Sequence, residues 1–306
     1  MSAEEETWRA FHVFYFDEAH VDPLILEAET LISGVSSLRP AWFFIRYNLG
    51  GMHLRFRLRG RFDRFDEVLL RLRERAWMLS ESPLEAAKPP AGGVPDERGH
   101  LHYPGSVVEI PYAPETERYG GPHVLPVNEA LFERSTALAV RIIAATVGDR
   151  PMRAKLAVDL MLAAASIAVD GDCEAGAFFE DYARFWERRY FTTGEKPAGT
   201  RTPGRAAIVE RLRQLRDDAA SGAAPRTPSQ IWLGDLIDAK GKFQALASSG
   251  KLLSPRNREI VADDGGFAGA LSDMLGSQMH MMNNRLGFGP FEEMTWSDAL
   301  ARSLAE

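Results

Sequence analysis

The chain has 306 residues, 45% hydrophobic and 26% charged, with a formal charge of −7. That length and balance supply a substantial core and exclude both a disordered chain and a small disulfide-stapled scaffold. The acidic charge removes any general attraction to nucleic acid, where Lys and Arg on phosphate dominate affinity. The one cysteine, Cys173, excludes an internal disulfide framework or a thiolate zinc cluster and suits a reducing cytoplasm; it reads as a small, partly buried side chain.

The chain opens acidic, with Glu4, Glu5 and Glu6, where a secretion signal would be basic, so a cytoplasmic protein is expected. Residues 11–17 are aromatic and β-branched, as in a strand, and residues 23–32 carry helical apolar spacing that stops at Gly34. Residues 41–47 and 52–59 read as two strands across Asn48, Leu49, Gly50 and Gly51, the composition of a tight hairpin turn. Residues 62–78 read as a helix and 106–112 as a fourth strand. The order β-α-β-β-α-β predicts a ferredoxin-like split βαβ, an antiparallel sheet with helices on one face. Residues 88–104, rich in Pro, Gly and charge, read as an excursion with the character of a lid or partner contact. His100 and His102 lie in it, two imidazoles with no cysteine nearby to complete a metal site.

Beyond residue 125 the pattern turns helical: 128–146, 152–168, 175–190, 204–220, 228–247, 267–285 and 291–304. The apolar stretch 156–169 contains Asp159 and falls short of the ~18 residues of a spanning helix, so it reads as a core helix and no membrane contact is expected. The expected fold is α+β. A sheet region, 1–125, carries the arginine clusters, and a largely helical region, 126–306, covers it as one integrated unit.

Three clusters carry chemistry. In the first, His53, Leu54, Arg55, Phe56, Arg57, Leu58 and Arg59 alternate, so a strand sends the histidine and three arginines to one face. Same-face residues are roughly 6.5–7 Å apart, which lets guanidinium groups converge on a ligand bearing carboxylates. The plain alternative is a solvated face of screened charges. If helices cover that face, the arginines need anionic partners. The second cluster is a Pro- and Gly-punctuated turn, 111–121, where Glu115 stands three residues before Arg118, as in an oriented ion pair or an ordinary surface turn. The third closes the helix at 267–285, with His280 and Asn284 on one face; a lone helical histidine is as a rule structural. No phosphate-binding glycine loop, dinucleotide fingerprint or nucleophile elbow is present in the sequence.

In order and content the clusters resemble the C-terminal domain of lantibiotic dehydratases, the SpaB C-terminal family of thiopeptide-type bacteriocin biosynthesis proteins. The segment 42–59 is similar to the family's aromatic strand followed by His-Leu-Arg-x-Arg. Residues 112–121 are similar to Tyr-x-Pro-Glu-x-x-Arg-Tyr-Gly-Gly, and 280–286 to His-Met-x-x-Asn-Arg-Leu.

The resemblance implies a lyase of the standalone glutamate-elimination type. It would remove glutamate from glutamylated Ser or Thr of a precursor peptide, leaving dehydroalanine or dehydrobutyrine, after a separate tRNA-dependent dehydratase subunit has made the ester. His280, Arg57 and Arg118 would be catalytic. Arg55, Glu115, His53, Tyr119 and Asn284 would bind substrate, with Glu115 orienting Arg118. The partners would be the precursor's leader and glutamylated core, with no direct nucleic acid contact; a homodimer is allowed, and no cofactor or metal is called for. The first alternative within the family is a pyridine synthase joining two dehydroalanines in a formal [4+2] cycloaddition. The second is a non-catalytic subunit that binds the precursor by edge-strand addition.

Overall fold

The computed structural model describes residues 8–15, 18–34, 41–60, 65–78, 95, 98–102, 105–190, 204–222 and 224–305. Most of the excursion at 88–104 and the linker at 192–203 lie outside them. The chain is α+β and divides into two compact units: Met1–Pro114 with Ile143–Val147, and Glu115–Ile142 with Gly148–Glu306. The division falls earlier than residue 125, so the turn bearing Arg118 belongs with the helices. The cause is local, because Gly120 and Gly121 pack against Met274 and Leu253 of the second unit.

The first unit is built from β1 (Trp8–Phe14), α1 (Val21–Gly34), β2 (Ala41–Tyr47), β3 (His53–Arg59), α2 (Phe65–Met78) and β4 (Val107–Ile110). The sheet order is β2-β3-β1-β4 with every neighbouring pair antiparallel. β1 begins at Trp8, three residues ahead of the expected strand, because Trp8 pairs with Arg59 at the end of β3. Paired residues of an antiparallel sheet point to the same side. Phe11, Val13, Phe44, Leu54, Phe56 and Leu58 therefore share one face, and all are buried. The helices lie on that face, where Trp42 on β2 donates to Glu29 of α1 and Arg46 pairs with Asp22. α1 buries Leu24, Ile25, Ala28 and Ile32 at helical spacing, each large side chain contributing about 1.5–3 kcal/mol. The other face carries Trp8, Ala10, His12 and Phe14 beside Arg59, Arg57, Arg55 and His53.

The second unit holds α3 (Leu125–Ala145) up to Ile142, α4 (Arg150–Ala168), α5 (Asp172–Tyr190), α6 (Arg205–Ser221), α7 (Pro228–Ser248), α8 (Asp264–Leu286) and α9 (Pro290–Ala305). α4 lies among α5, α6, α7 and α8, which is why it has no polar face: every residue from Leu160 to Ala168 is buried. Its one acidic side chain, Asp159, is held side-on by Arg211 Nε and Nη2, at 2.6 and 2.8 Å. Asp149 caps α4, Thr227 caps α7 in a capping box, and Asp263 caps α8, fixing where each helix starts. Among the described residues no helix is long and apolar enough to cross a membrane. Cys173 is exposed at the start of α5, not partly buried, because the first turn of that helix faces outward.

Candidate functional site

The first unit contributes a cationic row. β3 projects Arg55, Arg57 and Arg59 from one sheet face, and each guanidinium has an aromatic neighbour: Tyr47 at 3.3 Å, Tyr112 at 6.0 Å and Trp8 at 4.9 Å from the ring centroid. Arg57 is only 7% exposed, so the face is not a solvated one. His53 is 1% exposed; its Nδ1 lies 2.7 Å from the Gly51 carbonyl and its Nε2 accepts from Arg55 Nε at 3.1 Å. His12 stacks on His53 at 4.4 Å, and His102 stacks on Phe14 at the same spacing. Burial, with Arg55 and Arg57 adding to it, pushes His53 down to about 4 against the Gly51 bond. Burial and the neighbouring His53 and Arg55 push His12 down to about 2. Both imidazoles are therefore neutral at ordinary pH. Among the described residues no three His, Cys, Asp or Glu converge as a metal site.

The second unit contributes a carboxylate-backed histidine. His280 on α8 places Nδ1 2.9 Å from Glu293 Oε1, and the other oxygen of Glu293 accepts from the Tyr182 hydroxyl. Glu293 is fully buried in the first turn of α9, where the helix N-terminus favours an anion. A carboxylate only accepts, so Nδ1 carries a proton and donates to it. Trp186 packs against both rings, 4.7 Å from His280 and 6.0 Å from Tyr182. Burial, then the charge of Glu293, pushes the Tyr182 hydroxyl well above its usual range. The His280 side chain keeps 14% of its surface exposed.

Arg118 stands in the same unit. Its Nε donates to Ser277 Oγ at 3.1 Å and its Nη1 to Glu115 Oε2 at 3.0 Å. Ser277 lies three residues before His280 on α8, hence on the same helix face. Burial works against the charge on Arg118, but Tyr119 and Glu115 outweigh it and the guanidinium is held above its ordinary value. The turn that presents Arg118 needs its glycines. Gly120 and Gly121 have φ of 83° and 95°, and an added Cβ would come within 2.9 Å of Met274 Sδ and 3.0 Å of Leu253. A buried amide then ties the turn to α8: Asn128 Nδ2 donates to the Tyr119 carbonyl, and Gln278 donates to Asn128 at 2.8 Å. The Tyr119 ring is 4% exposed and packs edge-on to Phe132. Arg285, fully buried, donates to Thr136 on α3. Asn284 is partly buried one turn beyond His280.

Of the expected residues, the structure joins His53 to Arg55 and Glu115 to Arg118. Glu293, Tyr182, Ser277 and Trp186 were not among them. The family model described as lantibiotic biosynthesis dehydratase C-term matches residues 8–304, both units together. The chain belongs to this family.

Members of the lantibiotic dehydratase C-terminal family take part in dehydration during the biosynthesis of ribosomally made peptide antibiotics. Solved structures share the fold. TsrL is 20% identical, with 98% of this chain and 94% of that chain covered and a TM-score of 0.64. The pyridine synthase TbtD from thiomuracin biosynthesis is 18% identical, with 98% of each chain covered and a TM-score of 0.65. The tRNA-dependent lantibiotic dehydratase MibB from Microbispora sp. 107891 is 18% identical, with 99% of this chain but 28% of that chain covered and a TM-score of 0.56. No curated protein sequence matches.

Proposed function

We propose that this family member is a lyase that eliminates glutamate from glutamylated Ser or Thr of a precursor peptide. In the elimination, the Cα–H bond breaks and its proton passes to His280 Nε2. The freed electron pair forms the Cα=Cβ bond, and the Cβ–O bond breaks with its pair leaving on the glutamate carboxylate. The observation that carries this reading is the His280–Glu293 pair on the same unit as Arg118. The imidazole that takes a proton has a counter-charge behind it, and a guanidinium is held one helical turn away through Ser277. Arg118, held beside that base, takes the glutamate carboxylate, and Arg55 and Arg57 of the first unit are guanidinium groups that bind carboxylates of the precursor. The partner would be a separate subunit that makes the glutamyl ester.

The second reading, a pyridine synthase, has the end-to-end likeness to TbtD in its favour. It releases no glutamate, so the paired arginines would have no leaving carboxylate to receive. Purified protein incubated with a chemically glutamylated Ser peptide separates the two by mass. Elimination removes one glutamate per dehydro residue formed, whereas cyclisation consumes two dehydroalanines already present. His280→Ala and Arg57→Ala should each slow the first reaction by about two to three orders of magnitude and leave glutamylated peptide. Parental rates in both variants would refute the roles of base and carboxylate receiver.

A further inference from the structure

We infer that His53 is a positioning residue, whose tautomer is fixed by the hairpin turn so that its Nε2 holds the Arg55 guanidinium from behind. The inference deepens the elimination reading and rests on it for the role of Arg55.

The turn comes first. Asn48, Leu49, Gly50 and Gly51 reverse the chain between β2 and β3, with Gly51 N donating to the Asn48 carbonyl at 3.1 Å. Gly50 and Gly51 have φ of 82° and 112°, a conformation glycine adopts without strain. This backbone aims the Gly51 carbonyl at His53, two residues on, with 2.7 Å between the oxygen and Nδ1. A carbonyl oxygen has no proton to give, so Nδ1 must be the donor. In a neutral ring Nε2 is then bare, and Arg55 Nε–H lies 3.1 Å from it. The chain of donors runs one way, from Arg55 through the ring to the turn.

Arg55 is thereby held on two sides. Its Nε edge is bonded to His53, and its plane lies over Tyr47 with Cζ 3.3 Å from the ring centroid. Tyr47 and His53 are directly paired across β2 and β3, so register alone brings ring and imidazole to one guanidinium. With both ring nitrogens engaged and the residue 1% exposed, His53 acts behind the arginine, not against substrate. A fork fixed by edge and plane loses less rotational freedom when a carboxylate binds it. A histidine serves where lysine or glutamate would not. It offers a neutral acceptor and a donor at opposite ends of a rigid ring, so it bridges turn and arginine without neutralising the guanidinium.

Two measurements test this. In protein with 15N-labelled histidine, long-range proton–nitrogen correlation should find His53 protonated on Nδ1 and bare on Nε2. A ring protonated on Nε2 overturns the inference whatever the enzyme does. In the elimination assay, His53→Phe should slow release by about tenfold to a hundredfold, the usual cost of losing a partner that orients a functional side chain. The double variant His53→Phe/Arg55→Ala should be no slower than Arg55→Ala alone. His53→Gln, whose amide both donates to Gly51 and accepts from Arg55, should recover most of the rate. Penalties that multiply in the double variant, or a Gln variant as slow as Phe at equal thermal stability, overturn it. Should His53→Phe fail to fold, the Gln variant and the tautomer decide. A parental protein that releases no glutamate yet has the stated tautomer leaves the positioning intact and refutes the elimination reading instead.

Discussion

The two units surround their histidines with opposite charge. In the first, His12 and His53 sit beside Arg55 and Arg57 and are pushed down to about 2 and about 4. In the second, His280 is bonded to a fully buried carboxylate, itself held by a tyrosine hydroxyl. The same side chain is thus made into two different parts. A neutral imidazole among guanidiniums is a rigid hydrogen-bonding spacer, because a proton arriving there meets like charge. An imidazole with a carboxylate behind it accepts a proton and has the resulting cation balanced. Under the proposed elimination, the charge behind the ring is what sets His280 apart as the base from His12 and His53.

The most damaging way to break this contrast is Glu293→Gln. The amide keeps an acceptor for His280 Nδ1–H and a partner for Tyr182, so fold and tautomer survive while the counter-charge goes. Glutamate release should fall by about two to three orders of magnitude, roughly 3–4 kcal/mol in the barrier. It would be followed by mass spectrometry, with an unchanged circular dichroism spectrum as control. Release at the parental rate would mean that the carboxylate is structural and the contrast between the units carries no chemistry.

The histidines of the first unit supply the opposite test, through stability. Their folded values lie below the unfolded value of about 6.5, so between those limits the unfolded chain binds more protons. Their neutral burial therefore contributes stability that is complete above pH 6.5 and is lost as the pH falls toward the folded values. Between pH 7 and pH 5 each should cost at most about 2 kcal/mol. The urea midpoint should drop over that range, and His12→Phe, which fills the space without titrating, should drop less. A midpoint as steep in the variant as in the parent would remove His12 from the account.

These contrasts were unevenly legible in the sequence. The hairpin was legible because Asn48 to Gly51 interrupt the strand pattern and alternation resumes after them, so β2 is where the pattern puts it and β3 begins one residue later than expected, at His53. β1 could not be, since Trp8 and Arg9 become strand only through pairing with Arg59 and Leu58, which no local signal announces. The Glu115–Arg118 spacing fitted an ion pair or an ordinary surface turn equally, and the structure forms the pair. Glu293 is hidden for a general reason: two acids in the first turn of a helix are what the helix dipole favours anyway. Only the fold distinguishes them, sending Glu292 out to Arg150 and Glu293 inward to His280. Tyr182 is hidden likewise among Phe178, Phe179 and Trp186, where the spacing says core and nothing more.

The smallest expected effect sharpens the comparison between the units' arginines. Arg55 is fixed by an imidazole edge and a ring face, whereas Arg118 is held by Ser277 on one side and by the exposed carboxylate of Glu115 on the other. Glu115 keeps 63% of its side-chain surface, so solvent and salt screen the pair. Glu115→Gln should therefore cost less than about 1 kcal/mol in thermal or urea stability, and the small difference should vanish in high salt. The rate should fall only a few-fold, because the amide oxygen still accepts from Nη1 and Ser277 still holds Nε. A loss as large as that of Arg118 itself would mean that the carboxylate, and not the serine, aims the guanidinium.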